Sequence, residues 1–377
     1  MASQQNDDQN NDQNNNQNNG TRVAFVHYQF PSFVKQDYEI LSRYYSMDRI
    51  DYTNVWDTFK LIRAIIASDV SFSWFAAGHA FLAVLVSKIL RKKSLVVAGG
   101  YDVACVPELG HGQFTLSWRK KVMTRFSLKH ADAIMAVSDF TKGEVLARMK
   151  PRKLQTVYNG VEVDKFRLPT EKSSKEDLAI TVGGISWPNL KIKGMETFVR
   201  SAALIPEAHF AVIGRELDDS GEYLRSIASP NVEFTGFLSG QDLLDWYRRA
   251  KVYVQASAYE SFGMSLAEAM LCECVPVATA RGAMPEVVGD TGFYVPYGDP
   301  AGLAEGIRCA LGSDKGKSAA RRIEELFPLK KREMELVNVI DSVVGRPNGR
   351  GRLHNTDMEQ RQHSSDHTSV NKEVRQS

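Results

Sequence analysis

The sequence is poor in cysteine, in net charge and in uninterrupted apolar runs, and each shortage excludes a class of protein. Four cysteines in 377 residues (Cys105, Cys272, Cys274 and Cys309) are too few and too scattered for a disulfide scaffold. The one close pair has a single residue between its thiols, where zinc and redox motifs have two. Free buried thiols in a reducing compartment, and no metal site, are expected. Forty-seven Lys and Arg against forty-five Asp and Glu give a formal charge of +2, so no global field draws in nucleic acid and any basic site is local. The most apolar stretch, Trp74–Leu90, is broken by Gly78, His79 and Lys88 and falls short of the roughly 20 apolar residues of a spanning helix, so it reads as a buried helix. No positive segment followed by an apolar stretch stands at the N-terminus, and a cytoplasmic protein is expected.

What is present is concentrated in the middle. Gln4 to Asn19 consists of Asn, Gln and Asp alone, and residues 346–377 carry only Leu353, Met358, Val370 and Val374 as aliphatic side chains, so both ends read as disordered polar tails. The remaining 326 residues suffice for two cores. From 20 to 170, β-branched runs (Arg22–His27, Val70–Trp74, Ser94–Ala98, Ala133–Val137, Leu154–Val157) alternate with helical patterns, the signature of a parallel sheet covered on both faces. Pro169–Asp177 is polar and unpatterned and reads as a linker. The alternation restarts over 171–327, and a last amphipathic helix at 328–345 follows Pro328, free to cap either half. The expected architecture is α/β: two doubly wound, Rossmann-like domains whose ligand crevices face a common cleft.

The most informative segment is KVYVQASAYESFGMSLAEAM, from Lys251 to Met270. A strand runs into a tight turn, and Gly263 stands where a helix begins. The backbone N–H groups of Gly263, Met264 and Ser265 lack intrahelical partners there and, with the helix dipole, suit a diphosphate. Glu268 lies in the second helical turn, about 7 Å along the axis at 1.5 Å per residue. It is placed to accept from ribose hydroxyls, with Glu260 accepting from a sugar on the other side. The plainer alternative makes Glu260 a helix cap and Glu268 part of a solvated face.

The two glutamates with seven residues between them, the acidic residue before Phe-Gly, and the Cys-Val-Pro-Val-Ala strand that follows resemble the motif of the retaining GT-B glycosyltransferases of family 4. Ala133–Ser138, Val157–Phe166, Val212–Gly214, Asn231–Gly236, Pro285-Glu286 and Gly292-Phe293 match that family in order, and the resemblance covers about Thr21 to Gly345. It implies a nucleoside-diphosphate sugar donor held mainly on the second domain and a glycan or lipid-linked acceptor on the first. It also implies transfer with retention and no cofactor or required metal. Residue by residue it implies Glu260 on donor-sugar hydroxyls, Gly263 to Ser265 on the phosphates, Glu268 on the ribose, and Gly214 and Arg215 near the base. In GGISWPNLKIKGMETF, which opens with Gly183-Gly184, Lys193-Gly194 matches the family's diphosphate-neutralising lysine and glycine. Gly184 counts among the donor contacts. The family's upstream Arg is missing, and Lys191 is a substitute without a guanidinium fork. Either lysine also reads as a surface charge.

The first domain departs further. Where the family often has His-Asp, this chain has Tyr101-Asp102 after Gly99-Gly100. Asp102 either bonds a substrate hydroxyl or forms the turn. His79 and His111 read as packing or loop residues. Trp118–His130 (WRKKVMTRFSLKH) surrounds Trp118, Val122 and Phe126 with basic residues. It reads either as an interfacial helix making peripheral contact with anionic lipid, or as an apolar stripe packed on the sheet. A sugar-nucleotide epimerase of the same plan and a noncatalytic sugar-nucleotide-binding protein are the alternative functions.

Overall fold

In the computed structural model, residues 20–168 and 175–346 are described. The N-terminal tail, residues 169–174 of the expected linker, and residues 347–377 lie outside them. The first half alternates β1 (Arg22–His27), α1 (Ser32–Ser42), β2 (Ser46–Asp51), α2 (Asp57–Ala67), β3 (Val70–Trp74), α3 (Gly78–Ile89), β4 (Lys93–Ala98), α4 (Trp118–His130), β5 (Ala133–Ala136), α5 (Asp139–Arg148), β6 (Leu154–Thr156) and α6 (Val163–Phe166). The second half contains β7 (Glu176–Val182), α7 (Trp187–Ile192), α8 (Met195–Ala202), β8 (His209–Ile213), α9 (Ser220–Ile227), β9 (Val232–Gly236), α10 (Gly240–Arg249) and β10 (Ala250–Gln255). It continues with α11 (Met264–Leu271), β11 (Val275–Thr279), α12 (Met284–Val288), β12 (Phe293–Val295), α13 (Pro300–Leu311), α14 (Gly316–Leu326) and α15 (Leu329–Val344).

The strands form two six-stranded parallel sheets, ordered β2-β1-β3-β4-β5-β6 and β12-β11-β10-β7-β8-β9. Central strands such as β3 and β11 are buried at every residue, as a sheet covered on both faces requires. The second order reverses direction between β7 and β10. Loops leaving those two neighbours diverge and leave a crevice at their carboxyl ends. Gly183-Gly184 leaves β7 there, and the segment leading to Glu260 leaves β10.

Four differences from the sequence reading have physical reasons. Strand β2 was not anticipated because SMDRID carries only Met47 and Ile50 as apolar residues. It lies at the sheet edge, where half-exposed polar side chains are tolerated. Helices α6, α7, α9, α12 and α14 were likewise unread, the first, second and fourth spanning only four, six and five residues. The expected linker ends earlier than Asp177, since Glu176 opens β7, registers with Ala250 and accepts from Nε and Nη2 of Arg249 at 2.8 and 3.0 Å. Of the cysteines, only Cys272 and Cys274 are buried; Cys309 is exposed on α13, and all four are free thiols. The Trp74–Leu90 stretch divides between β3 and α3, and among the described residues no helix is long and apolar enough to cross a membrane.

Helix α15, which the sequence left free to cap either half, packs on the first sheet. Leu336, Val339 and Ile340 enter the core formed by Phe25, Phe72 and Trp74. Burying each such side chain contributes about 1.5–3 kcal/mol. Arg332 fixes the placement: its Nε and Nη2 donate to the two carboxylate oxygens of Asp37 at 2.6 and 2.7 Å, and Nη1 donates to the carbonyls of Val157 and Tyr158. Asp37 also accepts from the Trp74 indole, so every polar atom of this buried pair has a partner.

Candidate active site at the cleft

Gly263 has φ +89°, a left-handed conformation that a side chain would strain, and it starts α11 with no side-chain cap. The first N–H groups of α11 therefore face the crevice without intrahelical partners. Glu260, three residues earlier, is largely buried. Its carboxylate receives the Lys193 ammonium at 2.5 Å and the Gln255 amide at 3.3 Å.

That lysine arrives by a backbone device. It caps the C-terminal end of α7, and Gly194 follows at φ +67°, where a Cβ would lie 2.1 Å from the Ala256 carbonyl oxygen. Only glycine lets the α7–α8 turn press against the end of β10, and this brings Lys193 to Glu260 from 67 residues away in sequence. Lys191 is exposed two residues earlier, about 200° around the helix. Its carbonyl accepts from the Tyr297 hydroxyl, and among the described residues no ion pair holds its ammonium.

Glu268 accepts from the buried Tyr247 hydroxyl at 3.2 Å, and burial pushes its carboxyl up to about 7. Gly214 is fixed by crowding, because a Cβ there would stand 1.8 Å from the Gly183 carbonyl oxygen. Gly184 accepts from the Asn189 amide through its carbonyl and faces Leu217. Arg215, exposed, lays its guanidinium 4.9 Å from the centroid of the Phe237 ring. The crevice of the second sheet thus gathers Gly184, Lys193, Gly214, Arg215, Glu260, Gly263, Met264, Ser265 and Glu268 from three strand-to-helix connections, the α7–α8 turn and the start of α11.

Of the two roles open to Asp102, substrate contact and turn former, the structure shows the second. It is 2% exposed and turned inward, accepting the N–H groups of Ala76, Gly99 and Gly100 at 2.7, 3.0 and 2.8 Å. Burial pushes its carboxyl up to about 6. It is a positioning residue that shapes the Gly99-Gly100 turn. That turn meets the second lobe: the Gly100 carbonyl accepts from the Tyr259 hydroxyl at 3.3 Å, and a Cβ on Gly100 would stand 2.4 Å from Ser261. A second tie comes from Glu286 on α12, whose carboxylate accepts the N–H groups of Asp139 and Phe140 at the start of α5.

His111 was discounted in the sequence, yet it reaches the cleft. A bridge between Val106 and His111 and the positive-φ Gly112, pressed on the Ala104 carbonyl, fold the loop after β4 back on itself. The imidazole lies 5.2 Å from the rings of both Tyr101 and Tyr259. Burial and the Lys193 charge hold it below the usual histidine range, while Glu260 opposes them, so first-lobe His111 shares the field of the second-lobe pair. No local signal marks it, since the loop that carries it has no periodicity. His79 is a packing residue bonded to the Trp74 carbonyl. Among the described residues, no three His, Cys, Asp or Glu side chains gather as a metal site.

Comparison with known proteins agrees with this fold. Residues 17–165 match Glycosyltransferase Family 4, and residues 176–313 match Glycosyl transferases group 1. The chain is 27% identical over 261 residues to N-acetyl-alpha-D-glucosaminyl L-malate synthase of Bacillus anthracis, covering 63% of this chain and 64% of that protein. It is 28% identical over 257 residues to the GPI3 subunit of phosphatidylinositol N-acetylglucosaminyltransferase of Saccharomyces cerevisiae, covering 62% and 56%. The chain therefore spans less than two thirds of the length of either relative. Among solved structures, sucrose-phosphate synthase of Thermosynechococcus elongatus superposes with a TM-score of 0.68 at 17% identity, covering 86% of this chain and 99% of that one. HepE of Anabaena superposes with a TM-score of 0.71 at 15% identity, covering 85% and 100%. Two parallel sheets facing a cleft, matched half by half, make this chain a member of the GT-B glycosyltransferases of family 4.

Proposed function

We propose that this chain transfers a sugar from a nucleoside-diphosphate donor to a hydroxyl of a glycan or lipid-linked acceptor, with retention of anomeric configuration. The observation that carries the reading is the Lys193–Glu260 contact beside the uncapped start of α11. A diphosphate at that helix start receives the N–H groups of Gly263, Met264 and Ser265 and the positive end of the helix dipole. Lys193 neutralises the charge that develops on the departing diphosphate, where a fixed cation is most effective. Glu260, relieved of part of its bond to Lys193 by the phosphate, accepts from hydroxyls of the donor sugar. Glu268 takes the ribose hydroxyls one and a half turns into α11, and the base rests near Gly184, Gly214 and Arg215.

In the transfer, the bond from the anomeric carbon to the phosphate oxygen breaks and a bond to the acceptor oxygen forms on the same face of the sugar. The acceptor's proton passes to the leaving phosphate oxygen, so no further base is required. Contacts such as Tyr259 to Gly100 and Glu286 to α5 hold the lobes together and keep water from competing as acceptor. HepE of Anabaena has been solved with UDP-glucose bound, which favours a uridine donor here.

The test is thermal stabilisation by a panel of UDP-, GDP-, ADP- and TDP-sugars, with nucleotide release followed in parallel. A ligand at a hundred times its dissociation constant adds about 2.7 kcal/mol. One nucleotide series is expected to stabilise the protein and to lose that effect in Glu268→Ala. Binding that ignores Glu268 overturns the donor assignment. Release of an epimerised sugar nucleotide without acceptor, or binding without turnover in the presence of glycan and lipid acceptors, overturns transfer.

A further inference from the structure

The exposed apolar side chains are unevenly distributed. Of the seventeen large hydrophobic residues exposed among the described residues, eight lie between Val55 and Val122, apart from Tyr101. Helices α2, α3 and α4 lie side by side on one face of the first sheet, α3 in the middle. Their outer surface carries Trp56, Phe59 and Ile66 at 75, 71 and 56% exposure, Ile89 at 71%, and Trp118 and Val122 at 69 and 50%. On α2, Phe59 and Ile66 are two turns apart on one stripe, in line with Trp56. These side chains are firmly presented. Asp57 accepts the N–H groups of Thr53 and Asn54, and Asn54 accepts that of Trp56, so the turn that displays Trp56 is pinned.

The charge on the α3 and α4 part of this face is of one sign. Helices α3 and α4 contain no carboxylate, and α2 contains only Asp57, which is buried. Lys88, Arg119, Lys120 and Arg125 stand exposed on α3 and α4, whereas Lys60 of α2 pairs with Asp57 at 3.0 Å and shares a cavity with Arg63, Asp48 and Asp51. A chain of net charge +2 thus carries a face whose α3 and α4 half is cationic. Helix α4 does not make this surface alone: its basic residues lie all around it, and Phe126 is turned inward against Phe81 at 5.0 Å. The surface exists only where three helices from three crossovers meet.

We infer that the outer face of α2, α3 and α4 docks on an anionic lipid surface. Tryptophan at both margins suits the boundary between headgroups and acyl chains, and the surrounding Lys and Arg complement anionic headgroups. The helices begin at the carboxyl ends of β2, β3 and β4, the same edge that delivers Gly100 and His111 to the cleft, so docking there brings a membrane-borne hydroxyl near the site. The docking itself does not depend on the transferase reading.

The experiment is sedimentation of the full chain with vesicles of phosphatidylcholine alone and of phosphatidylcholine with phosphatidylglycerol in equal parts. Binding is expected to the anionic vesicles only, and to disappear in about 1 M salt. Trp56→Ser with Trp118→Ser is expected to abolish it, and Arg119→Ala with Lys120→Ala to weaken it more than tenfold, at about fivefold per charge. Nucleotide release in solution stays at the wild-type rate in both pairs, which separates failure of docking from failure of the transfer reading. Should the tryptophan pair fail to fold, the exposed basic pair carries the test. Equal binding to neutral vesicles, no binding to either, or full binding by the variants overturns the proposal. So does a dimer in sedimentation velocity that Trp56→Ser dissociates, which would assign the face to a second copy of the chain.

Discussion

The two lobes share a parallel α/β plan but carry chemistry differently. In the second lobe, site residues sit on short connections where glycine permits close approach: Gly194 against Ala256, Gly214 against Gly183, and Gly263 at the head of α11. In the first lobe, the corresponding surface is a loop of nineteen residues between β4 and α4, folded on itself through Asp102, Gly112 and the Val106–His111 bridge. A diphosphate needs N–H groups and a cation at fixed spacing, which a local motif can provide. A hydroxyl acceptor is met by whatever side chains a long loop brings forward.

The element that crosses between the lobes gives the largest expected effect. Arg332→Met leaves the Asp37 carboxylate buried without its partner, and stability is expected to fall by about 3–5 kcal/mol in urea titration. A loss below about 1 kcal/mol would mean that α15 is held by its apolar face alone. Lys193→Ala tests the second lobe's chemistry. Turnover is expected to drop about 10²–10³-fold, as when a preorganised charge-stabilising group is removed, while Lys191→Ala stays near wild type. Equal losses in both would return Lys191 to the site.

Glu268 sharpens the comparison through pH. Its folded carboxyl is raised from 4.5 to about 7 by burial, so the folded state holds a proton that the unfolded state releases. Stability linked to this group is fully present below the unfolded value and is lost as pH rises through about 7. Glu268→Gln is therefore expected to melt higher than wild type at about pH 8, by on the order of 1–3 kcal/mol, with the difference vanishing near pH 4.5. Donor binding runs the other way, strengthening as the carboxylate ionises through about 7 and losing that dependence in the variant. The smallest effect is expected in the first lobe. His111→Asn should lower kcat/KM by up to about tenfold, the worth of one uncharged hydrogen bond, with donor affinity unchanged. A change in donor affinity instead would place His111 on the donor side of the cleft.

Much of this could be read before folding. Strand and helix alternation identified both sheets because buried parallel strands are nearly continuous apolar runs, and β2 escaped because an edge strand need not be one. Glu260, Gly263 and Glu268 were legible because one turn and one helix set their spacing. Asp102 was legible as a residue with two roles open, substrate contact or turn former, since a turn aspartate facing inward and one facing a ligand have the same neighbours in sequence. His111 and the face formed by α2, α3 and α4 were not legible as parts of a site, because each depends on segments that meet only when the sheet orders them.

The sequence by itself therefore determined the local devices: the periodicities of the two lobes, the glycines at positive φ, and the helix start that offers N–H groups to an anion. Each is set by backbone sterics and hydrogen bonding over a few residues. Only the tertiary structure decided the non-local ones. The pairing of Lys193 with Glu260 across 67 residues, the return of α15 to the first sheet through Arg332 and Asp37, and the approach of His111 to the second lobe are fixed by core packing and lobe contact. Those forces act between residues that the chain alone does not bring together.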